Sequence, residues 1–413
     1  MDTGFFTKEQ TKSKSRPDGK IYSCFSCGLY KNCVHPKMKP QGNFTKGILI
    51  IAESPDNEAD EYGKALYGKQ LRYLKSILSR NQINLFEDCK IVYAAACKTE
   101  TKGSYKLPSK SEIASCRSKV MPIASNKKTK LIITLGFSGI YSLLGHRITK
   151  AIGTIDKWRG HQIPDQELKS WLCPTLSITD VLQQVSKNVY INETIFEQDI
   201  KAAIEVLSKP FPVYKEPKIT YLKDLSALNK IKDGKLTAFD YETTGLKPHN
   251  KVHEIISCSI ATSENKVFVF LLPKSKKKLK PLLTYLQSGM IPKVMQNIQF
   301  EITWSKVILG VDVNGIELDT MLTTHLLDNR TGVTGLKFQT YTNFGVIDYD
   351  SVISPYLSGL DTKDTNSPNR IKELLKSKDL TKKLLLYNAL DSIFTLRLAK
   401  IQLERLQNHL PFY

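Results

Sequence analysis

Residues 208–218 read Ser-Lys-Pro-Phe-Pro-Val-Tyr-Lys-Glu-Pro-Lys, and three prolines in so short a stretch deny it a helix interior or a place in a central strand. A strand–helix pattern runs up to this segment and starts afresh beyond it. The chain is therefore expected to fold as two α/β domains joined by a linker over 208–218. A length of 413 residues agrees, because a single core of that size tends to split. The expected layout is a disordered basic tail over 1–19, a first domain over 20–207, the linker, and a second domain over 219–413.

In the first domain, residues 47–53, 90–96 and 131–134 are apolar runs that read as buried strands. Helical patterns lie between and after them, at 70–79, 138–144 and 190–207. Strands alternating with helices predict a largely parallel sheet covered on both faces. Beyond the linker, 235–241, 255–262 and 266–272 read as strands, the last two an antiparallel pair about the turn at 263–265. Helices are expected to dominate from 281 onward.

The chain carries 60 basic and 40 acidic side chains, a net charge of +20, which suits a polyanionic partner such as nucleic acid. Its densest basic run is Lys274, Lys276, Lys277, Lys278 and Lys280. No apolar stretch reaches the ~18 residues of a membrane span, and the N-terminus lacks a secretory apolar run. A cytoplasmic location without membrane partners is expected. Eight cysteines in such a chain argue against a disulfide framework.

Four stretches of the second half supply carboxylates: Phe-Asp-Tyr-Glu-Thr at 239–243, Gln-Asn-Ile-Gln-Phe-Glu at 296–301, Leu-Asp-Thr-Met-Leu at 318–322 and Tyr-Asn-Ala-Leu-Asp at 387–391. On a strand, Asp240 and Glu242 project to one side. On a helix, Tyr387 and Asp391 share a face. Crowded carboxylates repel unless a cation neutralises them, and hard cations such as Mg²⁺ or Mn²⁺ prefer oxygen ligands. Asp240, Glu242, Glu301 and Asp391 are the predicted metal ligands, with Tyr387 orienting a water. Asp319, at a helix start, is expected to cap it or to support the ligands from behind rather than bind metal.

In order and spacing these motifs, together with Gly335-Leu336-Lys337, resemble the proofreading 3′–5′ exonuclease domain of family A DNA polymerases. That domain belongs to the tyrosine-bearing branch of the DnaQ-like superfamily. The resemblance covers 218–413 and implies a ribonuclease H-like fold, two bound Mg²⁺ or Mn²⁺ ions, and hydrolysis at single-stranded 3′ ends of DNA. It further implies that Thr243, Leu246 and Asn297 lie near the terminal nucleotide or order the ligands. Glu301 stands where the motif usually ends in Asp.

Cys24-x-x-Cys27, with Cys97 and Cys116, offers four thiolates that suit Zn²⁺ or an iron–sulfur cluster; a redox pair and unrelated buried thiols are the other readings. Residues 20–207 resemble the iron–sulfur uracil-DNA glycosylases of families 4 and 5. The resemblance rests on this cysteine spacing, on Ile51-Ala52-Glu53-Ser54-Pro55, Gly63, Gly68, Ala96-Cys97-Lys98, Ser115-Cys116-Arg117, Leu135-Gly136, Leu143-Leu144-Gly145 and Arg159-Gly160. It implies an α/β sandwich with a parallel sheet and a [4Fe–4S] cluster on Cys24, Cys27, Cys97 and Cys116, leaving Cys33, Cys89, Cys173 and Cys258 structural. The base pocket departs from that family: Asp56 replaces a glycine, Leu66 the stacking aromatic, Tyr93 the base-binding Asn and Ser177 the His. Base discrimination depends on such polar partners, so this domain is expected to grip DNA or a protein rather than excise a base.

Three functions follow as expectations. The first is a 3′–5′ DNA exonuclease serving replication or proofreading. The second is an active uracil-DNA glycosylase. The third is a binding module, the N-terminal half of a split or longer family A polymerase. The pairing of the two domains resembles some bacteriophage DNA polymerases, which would place the chain in a host cytoplasm. Since it ends at Tyr413, soon after Asp391, a separate polymerase subunit is an expected partner.

Overall fold

The computed structural model describes residues 23–99, 106–148, 152–250, 252–361, 363–364 and 366–409. The expected tail over 1–19 lies outside them. The protein is mixed α/β with two sheets, and it divides into two compact units. The first runs to Tyr214 and includes 341–348; the second comprises 215–340 and 349–413. The sequence reading kept 341–348 with the second half.

In the first unit the sheet order is β2-β1-β3-β5-β4. Here β1 is Ile48–Ala52, β2 Cys89–Tyr93, β3 Leu131–Leu135, β4 Ile163–Asp165 and β5 Ser170–Thr175. The first four in spatial order are parallel and β4 is antiparallel at the edge. Every residue of β1 and β3 is buried, as unbroken apolar strands in a doubly covered sheet must be. One face packs on the helices Gly68–Arg80 and Ile191–Glu205 through Leu74, Ile77, Phe196 and Ile200. Strands β4 and β5 escaped the sequence reading because they are short and interrupted by Pro164 and Pro174.

In the second unit the order is β11-β10-β7-β8-β9-β6, where β6 is Lys218–Tyr221, β7 Thr237–Thr243, β8 Ile255–Ser263, β9 Lys266–Leu271, β10 Lys293–Met295 and β11 Ile316–Asp319. Strands β7, β8 and β9 form an antiparallel meander, and β10 and β11 extend it in parallel beyond β7. Helices dominate from 281 onward as expected, interrupted by β10 and β11, which are too short to show a period.

Strand β7 decides where the chemistry sits. Phe239 and Tyr241 face one core with Cys258, Ile260, Phe270 and Trp304. Ala238 faces the other, with Ala261, Val269 and the helix Lys378–His409. That helix applies Leu385, Ala389, Ile393, Leu396 and Ala399 to the sheet, an apolar stripe at three- and four-residue spacing. Alternation along β7 puts Asp240 and Glu242 on the helix side, the side from which Asp391 comes.

Candidate functional site

Asp240, Glu242 and Asp391 each offer a carboxylate oxygen within 4.8 Å of the others, and among the described residues no other such group of metal-binding side chains forms. The approach is close because Ser257 and Ser259 of β8, paired with Glu242 and Asp240, are small. Asn388 fills the space between strand and helix. It is fully buried, donates from Nδ2 to Asp240 Oδ2 (2.7 Å), and accepts at Oδ1 from Ser257 Oγ (2.9 Å). Asp240 is thus fixed by a neighbour inside the Tyr-Asn-Ala-Leu-Asp motif to which the sequence alone assigns no role.

Burial drives the Asp240 and Glu242 carboxyls well above the usual carboxylate range. The neighbouring carboxylates push them further, and the Lys337 ammonium pulls them back. Lys337 Nζ bonds Asp391 Oδ1 and donates to the Tyr349 hydroxyl (2.8 Å), which itself donates to Asp391 Oδ1 (2.6 Å). Tyr387 is buried beside Asp391 and Glu242, and burial raises its phenol well above the ordinary value. Sequence reasoning gave no role to Lys337 or Tyr349. Gly-Leu-Lys at 335–337 was the one available signal, and nothing local marked Tyr349.

Glu301 stands apart from the tight group. It is buried on the helix Ile298–Trp304, and its Oε2 has no hydrogen-bond partner among the described residues. Burial, then the charge of Asp240, lifts its carboxyl well above the usual range. An orphaned buried carboxylate oxygen beside three crowded carboxylates fits a site built to receive cations. Asp319 caps the helix Thr320–Leu327 as expected, accepting from Met321 N (2.8 Å). It also accepts from Asn297 N (3.1 Å) and Ile298 N (3.0 Å), so one carboxylate fixes two helix starts.

Asn297 adopts a left-handed backbone, φ 66°, which Asn tolerates better than most residues, and its side chain is exposed. Thr243 is buried and donates to Gly245 O (2.7 Å), whereas the Leu246 side chain is exposed. Gly245 must lack a side chain: a Cβ there would lie 2.2 Å from His253 Cε1.

In the first unit, Cys24 and Cys27 occupy a short helix started by a Ser23–Ser26 capping box. Cys27, Cys97 and Cys116 are electrostatic neighbours, and Cys24 adjoins Cys27. Backbone N–H groups of Lys37 and Ala96 donate to Cys97 Sγ (3.2 Å) and Cys116 Sγ (3.4 Å), while burial raises the Cys116 thiol above its ordinary value. Cys33, expected to be structural, donates from Sγ to Leu29 O (3.3 Å), and burial, then the charge of Cys97, pushes its thiol up to about 11.

A small cleft is lined by Glu53, Leu66, Gln70, Ser177 and Thr179. Glu53 is buried and pushed up to about 7 by desolvation, against hydrogen bonds from Ser177 Oγ (2.6 Å) and Ser138 Oγ (3.4 Å). Tyr93 turns its hydroxyl to accept from Leu66 N (2.8 Å). Asp56 caps the helix Asn57–Tyr62 and accepts from Gln70 Nε2 (3.0 Å).

Residues 219–407 match the family model described as 3′–5′ exonuclease, that of the family A DNA polymerases. No curated protein matches the chain. Among solved structures, NrnC of Brucella melitensis with bound Mg²⁺ is similar at 19% identity, over 47% of this chain and 82% of that one, with a TM-score of 0.34. The catalytic core of RRP6 from Trypanosoma brucei is 14% identical over 47% and 48% of the two chains, with a TM-score of 0.36. RNase D of Escherichia coli, an exoribonuclease of structured RNA processing, is 13% identical over 47% of each, with a TM-score of 0.34. The second half thus carries a 3′–5′ exonuclease domain. No helix among the described residues is long and apolar enough to cross a membrane.

Proposed function

We propose that the protein is a metal-dependent 3′–5′ exonuclease acting on single-stranded 3′ ends of DNA in replication or proofreading. The observation that carries this reading is the convergence of Asp240, Glu242 and Asp391 within 4.8 Å inside a domain that matches the exonuclease family. Two Mg²⁺ or Mn²⁺ ions held there would supply water activation and charge stabilisation at the phosphate. Asp240, Glu242 and Asp391 would hold them, and Glu301 would add its unpartnered Oε2. Asn388 keeps Asp240 in its rotamer through the 2.7 Å hydrogen bond. Tyr387, buried beside Asp391 and Glu242, would orient the attacking water. Thr243, Leu246 and Asn297 border the place of the terminal nucleotide; exposed Leu246 offers a base an apolar surface.

For the first domain, 20–207 before the linker 208–218, the reading is a glycosylase-like module without glycosylase activity. Leu66 and Ser177 line its cleft in place of the stacking aromatic and the His that the resemblance calls for, and Tyr93, in place of the base-binding Asn, accepts from Leu66 N. Cys24, Cys27, Cys97 and Cys116 would hold a [4Fe–4S] cluster. Zn²⁺ is the alternative occupant of the same four thiols. A cytoplasmic setting and a separate polymerase subunit, as in a bacteriophage system, accompany this reading.

The test is Mg²⁺-dependent digestion of single-stranded DNA and of RNA of the same sequence, labelled at either end. Stepwise shortening of 5′-labelled DNA from its 3′ end, stopped by EDTA, is expected. Shortening of RNA alone would transfer the reading to RNA, and no shortening of either would refute it.

A further inference from the structure

We infer that Lys337 is a built-in counter-ion of the carboxylate cluster, one that divalent cations displace and that then grips a substrate phosphate. This rests on the exonuclease reading of the site. Among the described residues Lys337 is the cation in salt-bridge contact with Asp240, Glu242 or Asp391, through Asp391 Oδ1. Its place is built rather than incidental. The ammonium lies 4.0 Å from the Tyr349 ring centroid and 4.2 Å from that of Tyr387, over two aromatic faces that stabilise a cation. The Tyr349 hydroxyl completes the arrangement, accepting from Lys337 and donating to Asp391.

A single positive charge cannot neutralise three crowded carboxylates, but it removes part of their repulsion while no cation is present. Cations binding there compete with Lys337 for Asp391 Oδ1 and repel its ammonium. The side chain is 32% exposed against 9% for Asp391, so its head can leave the cluster toward solvent. A compact, strongly hydrated charge on a flexible four-carbon stem suits a phosphate arriving from that side.

The test uses the full chain and two ligands, Mn²⁺ alone and thymidine 5′-monophosphate in saturating Mn²⁺, with folding of each variant checked by circular dichroism. Lys337→Met is expected to bind Mn²⁺ about tenfold more tightly and the nucleotide about tenfold more weakly. Lys337→Arg, which keeps the charge, should hold Mn²⁺ affinity within about twofold of wild type. Should Lys337→Met misfold, Lys337→Gln carries the same two expectations. Unchanged or weaker Mn²⁺ binding in the folded neutral variant overturns the counter-ion role, and unchanged nucleotide binding overturns the phosphate role. The Mn²⁺ titration needs no turnover, so failure of wild type to shorten DNA would count against the exonuclease reading alone.

Discussion

Asn388 shows how much of this site depends on a residue that never needs to touch substrate. It is buried where the long helix meets β7 and β8, and its amide divides itself between Ser257 and Asp240. Asn388→Ala leaves the Asp240 carboxylate free to rotate and the Ser257 hydroxyl without its acceptor. A kcat about 10- to 100-fold lower, with KM nearly unchanged, is expected, along with a stability loss of about 1–3 kcal/mol. Steady-state kinetics on single-stranded DNA and a thermal melt measure the two. A kcat within about twofold of wild type would remove Asn388 from the machinery.

Glu53 supplies a residue-scale test in the first unit. Burial places its folded value at about 7, above the ordinary carboxylate value of 4.5. The folded state therefore holds a proton that the unfolded state has released, and stability falls as pH rises through that window, levelling off above it. Glu53→Gln, which keeps the shape without the charge, should make stability less dependent on pH between about 5 and 8 and raise it at the upper end. Urea midpoints across the range check this, and a slope equal to that of wild type would contradict it.

At the scale of elements, Asp319 joins the ends of two helices that are remote in sequence. It caps Thr320–Leu327 and accepts from the first amides of the helix that carries Glu301. Asp319→Ala should cost about 1–2 kcal/mol for each cap lost, with Asp319→Asn recovering part of it. A denaturant melt in which Asp319→Ala matches wild type would show that the shared cap has no weight.

Which elements could be read from sequence follows from how each is stabilised. Strands β1, β3, β8 and β9 were legible because their apolar content comes from their own residues. Strands β6, β10 and β11 were not. They hold three or four residues each, and β6 and β11 are largely exposed, so their pairing partners define them. In the site, Asp240, Glu242, Tyr387 and Asp391 were legible because strand and helix periods align them. Lys337 and Tyr349 reach Asp391 from 54 and 42 residues away, and only tertiary packing brings them there.

At the scale of the molecule, the assignment of 341–348 to the first unit had no local signal. Its physical basis is a buried polar network in that unit. Arg147 holds Asp165 with two hydrogen bonds, at 2.7 and 3.0 Å, and the Tyr341 hydroxyl donates to Asp165 Oδ2 at 2.6 Å. A charged pair whose side chains are 5% and 0% exposed demands such partners. Two α/β units and a net charge of +20 suit a protein that works along a polyanion.

The central claim is that phosphodiester cleavage occurs at the Asp240–Glu242–Asp391 cluster. The measurement that tests it most directly is Mg²⁺-dependent shortening of 5′-labelled single-stranded DNA by wild type and by the double variant Asp240→Asn with Asp391→Asn, each purified identically and shown to be folded. Stepwise 3′–5′ shortening by wild type and a rate at least about 10³-fold lower in the double variant is the predicted result. Shortening by the double variant at a rate within about threefold of wild type would place the chemistry elsewhere.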